Sequence, residues 1–166
     1  MAITALKGSP VQVIGELPAV GATAPDFTLT GADLGEVSST ELRGKRVVLN
    51  IFPSIDTGVC ASSVRRFNEL AAGLENTAVV CASADLPFAL GRFCGSEGIE
   101  NVVPTSSFRS DFGADFGLTL GDGPMQGLLA RAIVVLDENG AVLHTELVPE
   151  ITTEPNYDAA VAALSN

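Results

Sequence analysis

Two stretches of this chain read as the same strand-then-helix unit, one after the other, and that succession limits the fold more than any other feature. Arg46 to Phe52 (RVVLNIF) is a β-branched and aliphatic run without clean alternation, the pattern of a central strand covered on both faces. It stops at Pro53. Beyond the loop Ser54 to Gly58, apolar residues recur at Val64, Phe67, Leu70, Ala71 and Leu74, a three-and-four spacing that predicts an amphipathic helix lying back on that strand. Ala78 to Ala82 (AVVCA) is a second buried strand. Asp85 as N-cap, with Pro87 in the first turn, predicts a second helix running to Gly95 or Gly98. Strand-helix units in succession require crossover connections, so the two strands should be parallel.

The flanking segments complete a sheet. Ile3 to Leu6 and Val11 to Ile14, separated by Lys7-Gly8-Ser9-Pro10, predict an N-terminal hairpin, with residues 1–17 an extension of one domain spanning 1–166. Asp26 to Leu29 alternates as a half-buried strand does, and Ser38 with Glu41 forms a capping-box pattern that predicts one helical turn before Gly44. Ser110-Asp111-Phe112 can open a further short helix, and Gly117 to Gly127 reads as a glycine-rich loop. Arg131 to Leu136 and Ala141 to Leu147, joined by Asp137-Glu138-Asn139-Gly140, predict an antiparallel pair, and Tyr157 to Leu164 an Ala-rich closing helix. The sum is an α/β chain, βαβα followed by ββα, which is a thioredoxin-like mixed sheet flanked by helices with an N-terminal β-hairpin.

Composition removes several function classes. Nine Lys plus Arg against twenty Asp plus Glu leave a formal charge of −11, which repels phosphate backbones and anionic headgroups, so neither nucleic acid nor membrane is an expected partner. Three Cys and one His supply too few ligands for a zinc or haem centre, and no cofactor is expected. No apolar run reaches signal-peptide or membrane-span length. An odd, low cysteine count fits reduced or redox-cycling thiols in the cytoplasm better than a secreted disulfide scaffold.

Each cysteine then has to be placed. Cys60 falls in the first turn of the first predicted helix, where unsatisfied backbone N–H groups and the helix dipole favour an anion and so a nucleophilic thiolate. Its other reading is a small buried residue, because Cys60, Val64 and Phe67 share a helix face. Thr57, three residues earlier, can cap the helix or hydrogen-bond the sulfur or a bound oxygen, and Pro53 can shield the thiolate or merely end the strand. Cys94 lies late in the second helix, and bridging it to Cys60 would require that segment to unfold locally. Cys81, inside a strand, reads as core filler. Arg131 opens a buried strand, where it either needs an anion, which a thiolate or a carboxylate can supply, or sits at an exposed edge. Arg65 and Arg66 read as a solvated face, and His144, on the final hairpin, as structural before catalytic. Gly121-Asp122-Gly123 precedes a strand and opens no helix, so it is not a nucleotide loop.

Asn50 to Asn68 (NIFPSIDTGVCASSVRRFN) and Ser83 to Gly95 (SADLPFALGRFCG) closely resemble the thiol peroxidase family, the atypical two-cysteine peroxiredoxins of bacteria. The resemblance covers essentially the whole chain, including Ala24-Pro25-Asp26-Phe27 and Gln126 to Arg131. It implies that Cys60 is the peroxidatic cysteine and Cys94 the resolving cysteine of the same chain. It also implies that Pro53, Thr57 and Arg131 orient the hydroperoxide substrate and stabilise the thiolate. Members of the family are usually homodimers reduced by thioredoxin, need no metal or flavin, and lean towards organic hydroperoxides; Cys81 resembles a third cysteine without an assigned role. Phe93, Leu128 and Leu129 either line a substrate pocket or belong to the core. Two other readings stand beside it. A thiol-disulfide oxidoreductase would want a CxxC pair, which is missing, and a non-catalytic thioredoxin-fold binding module would react slowly with peroxide.

Overall fold

The computed structural model describes residues 2–165. The expected N-terminal hairpin is β1 (Ala2–Leu6) and β2 (Ser9–Ile14), paired antiparallel. The half-buried strand expected at Asp26 to Leu29 lies two residues later, as β3 (Thr28–Gly31), because Phe27 N–H and the Asp26 carboxylate are both engaged by the Ser39 hydroxyl. It pairs with β4 (Glu36–Ser38), a strand not anticipated. Half of the capping-box contact forms, Glu41 N–H donating to Ser38 Oγ at 3.2 Å, yet Ser39 to Gly44 is a series of turns. So short a segment cannot offset the cost of nucleating a helix.

Both predicted strand-helix units are present. β5 (Arg46–Ile51) leads to α1 (Gly58–Ala71), and β6 (Thr77–Ser83), parallel to β5, leads to α2 (Pro87–Glu97). Gly98 ends α2 in the left-handed conformation (φ 67°), which glycine adopts without a Cβ clash. The second crossover delivers β7 (Val103–Ser106), parallel to β6. Sequence pattern passes over β7 because Pro104 sits inside its four residues; Pro104 is tolerated beyond Thr105 and Ser106, the residues that pair with β3.

After α3 (Phe112–Asp115), the glycine-rich segment is more than a loop: Thr119 and Leu120 form β8, which pairs with β2 and ties the hairpin to the body of the fold. β9 (Ala132–Leu136) and β10 (Val142–Leu147) are the expected antiparallel pair, and α4 (Tyr157–Ala163) closes the chain. The larger sheet has the order β10-β9-β5-β6-β7-β3-β4 and the smaller one β1-β2-β8.

One apolar cluster, containing Leu49, Ile51, Val134, Phe112 and Phe116, joins the larger sheet to the hairpin residues Val11 and Val13. The second contains Val48, Val79, Ile133, Phe67, Leu90 and Phe93, and it packs α1, α2 and α4 on the other side of the same strands. Alternate residues of β5, β6 and β9 belong to different clusters, as expected for strands buried on both faces. Cys60 is a member of the second cluster. Among the described residues no helix is long and apolar enough to cross a membrane.

Candidate active site around Cys60

β5 runs out of the sheet into Phe52 and Pro53, both buried, and the chain turns through Ser54 to Thr57 before α1 begins. Cys60 is the third residue of α1 and is fully buried. Arg131 immediately precedes the neighbouring strand β9, whose Ala132 pairs with Ile51 of β5, and is 2% exposed, the largest fully buried side chain among the described residues. Its Nη2 donates to Cys60 Sγ at 3.1 Å and its Nε to the Ile151 carbonyl at 2.8 Å. Of the two partners left open for this cation, thiolate or carboxylate, the sulfur is the one in contact. A buried guanidinium is costly without polar partners, and Cys60 Sγ and the Ile151 carbonyl are the two that this one has. The remaining nitrogen, Nη1, is buried without a hydrogen-bond partner.

Thr57 is the N-cap of α1 in backbone conformation, but of its expected roles the side-chain cap hydrogen bond is not made. Its Oγ1 donates instead to the Ser54 carbonyl at 2.9 Å. A hydroxyl whose proton is committed in this way keeps its lone pairs, and so faces the site as an acceptor. Pro53, Thr57, Val59 and Arg131 line a cleft of about 200 Å³ together with Leu6, Met125 and Ile151. Of the two readings of Phe93, Leu128 and Leu129, the core one holds. Phe93 packs in the helical cluster beneath the Arg65 guanidinium, 5.3 Å from its ring centroid, and Leu128 and Leu129 belong to the cluster on the other side of the sheet.

All three cysteines are free thiols. Cys94, on α2, is half-buried, and burial raises its pKa above the usual 9.0. Cys81 is 1% exposed on β6 and is pushed up to about 12, chiefly by burial, with an opposing contact from Asn50 and a further push from nearby Cys94. That fits its reading as core filler. Asn50 Nδ2 bridges Cys81 Sγ (3.7 Å) and Ser63 Oγ (3.2 Å), and the Ser63 hydroxyl donates to the Cys60 carbonyl at 2.8 Å. Arg65 and Arg66 are surface residues paired with Glu97 and Glu69. His144 is on β10 opposite Val135, at one edge of the larger sheet, and its Nε2 is unpartnered.

Asp85 was expected to cap α2. Leu86 holds that position, and the Asp85 carboxylate turns the other way, to the loop ahead of Cys60: Oδ1 accepts from Ser54 Oγ at 2.7 Å and Oδ2 from Ile55 N–H at 2.7 Å and Ser83 Oγ at 2.7 Å. No local pattern reports this contact, because its two ends are 30 residues apart.

The redoxin family pattern matches residues 19–161. The chain is 61% identical over 165 residues to a thiol peroxidase of Corynebacterium glutamicum, covering 99% of this chain and 100% of that one. It is 63% identical over 164 residues to a thiol peroxidase of Mycobacterium tuberculosis, covering 99% of each. Among solved structures it superposes on a peroxiredoxin-like protein from Aquifex aeolicus with a TM-score of 0.94, at 40% identity over 99% of this chain and 96% of the other. A thiol peroxidase from Chromobacterium violaceum shares the fold with a TM-score of 0.90 at 19% identity, over 98% and 95% of the two chains.

Proposed function

This chain belongs to the redoxin family and, within it, to the thiol peroxidases: it is a thiol-dependent peroxidase, and we propose that Cys60 is its peroxidatic thiol and Cys94 its resolving thiol. The contact between Arg131 Nη2 and Cys60 Sγ carries this reading, since it gives one of three cysteines a buried cationic partner beside a cleft.

A hydroperoxide enters the cleft with its O–H donating to Thr57 Oγ1, and the unpartnered Arg131 Nη1 donates to a peroxide oxygen. The Cys60 thiolate attacks the terminal oxygen in line with the O–O bond. The S–O bond forms as the O–O bond breaks, leaving a Cys60 sulfenic acid and an alkoxide or hydroxide that takes up a proton. Donors already aimed at the oxygen where charge develops need no reorganisation during the reaction. Pro53 closes one side against water. The Cys94 thiolate then displaces hydroxide from the sulfenic sulfur, forming the Cys60–Cys94 disulfide. Two electrons from a thioredoxin-type dithiol, passed through a mixed disulfide, restore both thiols. Because the two cysteines sit in separate helices, the disulfide requires a helix end to open.

Cleft lining supports organic hydroperoxides beside hydrogen peroxide, as Leu6, Val59, Met125 and Ile151 offer an alkyl group an apolar wall. Three free thiols suit a reducing compartment, and we assign the protein to the cytoplasm. We also read it as a homodimer. Leu86, Phe88 and Phe108 are 54%, 67% and 46% exposed beside the β6–α2 corner, an apolar surface that a second copy would cover.

Peroxide consumption coupled to thioredoxin tests the central reading. Cys60→Ser should abolish turnover, and Cys94→Ser should allow one stoichiometric oxidation without recycling. Near-normal turnover by Cys60→Ser would overturn the assignment.

A further inference from the structure

Resting on the reading of Cys60 as the peroxidatic thiol, we propose that Asp85 is a positioning residue for the peroxide half-reaction, acting on Cys60 through the Ser54–Thr57 loop. Its carboxylate spans the corner between β6 and α2 on one side and that loop on the other. The path from it to the sulfur is continuous. Asp85 Oδ1 fixes the Ser54 hydroxyl, and Ser54 Oγ in turn accepts from Asp56 N–H at 3.2 Å. The Ser54 carbonyl receives both the Thr57 hydroxyl (2.9 Å) and Thr57 N–H (3.2 Å). The Thr57 carbonyl then accepts from Ala61 N–H at 3.0 Å, in the first turn of α1, the turn that carries Cys60. So Asp85 sets both the acceptor of the site and the start of the helix that presents its nucleophile.

Two ion pairs nearby, one from the loop to α2 and one between α1 and α2, are weaker candidates. The Asp56–Arg92 pair (2.5 Å) is more than half exposed at both side chains, and Arg65–Glu97 is exposed at the arginine, so solvent and salt screen both. The Asp85 contacts are part-buried, and two of them reach the loop itself. Ser106 Oγ also donates to the Asp85 carbonyl, which fixes the residue on the side of β7. A carboxylate held from behind and bonded forward to a hydroxyl and an amide orients a loop more firmly than a mobile surface pair does. Misplacing a reacting atom by about 1 Å is enough to cost on the order of 100-fold.

The test separates the two half-reactions in Asp85→Ala, Asp85→Asn and Ser54→Ala. The rate constant for Cys60 oxidation by hydrogen peroxide should fall about 10-fold or more in Asp85→Ala. Asp85→Asn, whose amide oxygen still accepts one of the bonds, should recover part of the rate. Ser54→Ala should lose less than Asp85→Ala and add little to it in the double variant, since both remove the same contact. Reduction of the preformed disulfide by thioredoxin, which acts on the opened form, should stay at the wild-type rate. A general folding defect would slow both half-reactions. The proposal is overturned if Asp85→Ala oxidises at the wild-type rate, if both half-reactions fall together, or if the Ser54 and Asp85 losses simply multiply. Failure of the underlying reading looks different: there, Cys60 in the unmodified protein forms no sulfenic acid or disulfide with peroxide.

Discussion

Arg131 reaches Cys60 Sγ with Nη2 at 3.1 Å while its Nε is anchored 2.8 Å from the Ile151 carbonyl, so the guanidinium is held rather than merely close. Two of its three nitrogens are accounted for and the third, Nη1, stays unpartnered. Arg131→Met keeps most of the volume and removes the cation. Its peroxide step should slow by about 100-fold or more, the scale of losing one preorganised donor in a dry site. Arg131→Lys should recover little, because an ammonium cannot serve sulfur, carbonyl and substrate from one planar fork. Rapid-quench mass spectrometry of the Cys60 sulfenic acid is the measurement. A lysine variant at the wild-type rate would mean that charge alone suffices.

For Cys81 and Cys94, low reactivity follows from burial. Cys81 and Cys94 are both raised from 9.0, by desolvation above all, and Cys81 is pushed up to about 12. Groups that stay protonated longer when folded favour the fold fully below pH 9, and that advantage is lost as pH rises from 9 towards 12. Alkylation of the reduced folded protein at neutral pH should therefore be slow at Cys94 and absent at Cys81, with both labelled readily after unfolding. Mass spectrometry of iodoacetamide-treated protein from pH 7 to 10 checks this. Rapid labelling of Cys81 at pH 7 in the folded chain would contradict it.

How much of this was visible in the residues depended on the range of each interaction. β5, β6, β9, α1 and α2 are long enough for their own apolar period to specify them, and the Asp137 to Gly140 turn specifies its hairpin. β4, β7 and β8 have three, four and two residues and exist because partners distant in sequence pair with them. The site divides the same way. Cys60 at a helix start and Arg131 ahead of an apolar run announce themselves locally. Asp85 did not, because a carboxylate two residues before Pro87 satisfies the local description of an N-cap, and only the folded chain brings Ser54 and Ile55 to it. The cleft walls Leu6 and Met125 come from the hairpin and the loop after β8, which no local pattern connects to Cys60.

The hairpin should loosen in acid. Glu150 is held down to about 2 from 4.5, first by Thr152 N–H, then by Gly8 N–H, the Thr152 hydroxyl and Lys7 N–H. A depressed carboxyl contributes stability that is present above its unfolded pKa and lost as pH falls from 4.5 towards 2. Of those four donors, Lys7 and Gly8 fasten the β1–β2 turn to Glu150, and the two of Thr152 hold the Glu150–Thr152 segment, whose Ile151 carbonyl anchors Arg131. Amide exchange at Lys7, Gly8 and Thr152 should accelerate across that interval while β5 and β6 remain protected. Exchange at those three amides that moves only with global unfolding would show that Glu150 does not hold the turn.

Selectivity among hydroperoxides should be set far from the sulfur, at Met125. The cleft beside Cys60 shares Leu6 and Met125 with a neighbouring depression of about 450 Å³ that is also lined by Pro10, Val11 and Pro124. In the proposed binding mode an alkyl group bonded to the peroxide would lie along this wall, whereas hydrogen peroxide would occupy only the polar end between Thr57 and Arg131. Met125→Ala removes apolar contact without touching that end. A change of this size in a hydrophobic pocket is worth about 1–3 kcal/mol, so kcat/KM for cumene hydroperoxide should fall about 10-fold while that for hydrogen peroxide is unchanged. Since the interaction is present before and during O–O cleavage, the loss should fall on KM with kcat nearly constant. Equal losses for the two peroxides would place the effect of Met125 on the catalytic end instead, and no loss for either would remove the wall from the account of specificity.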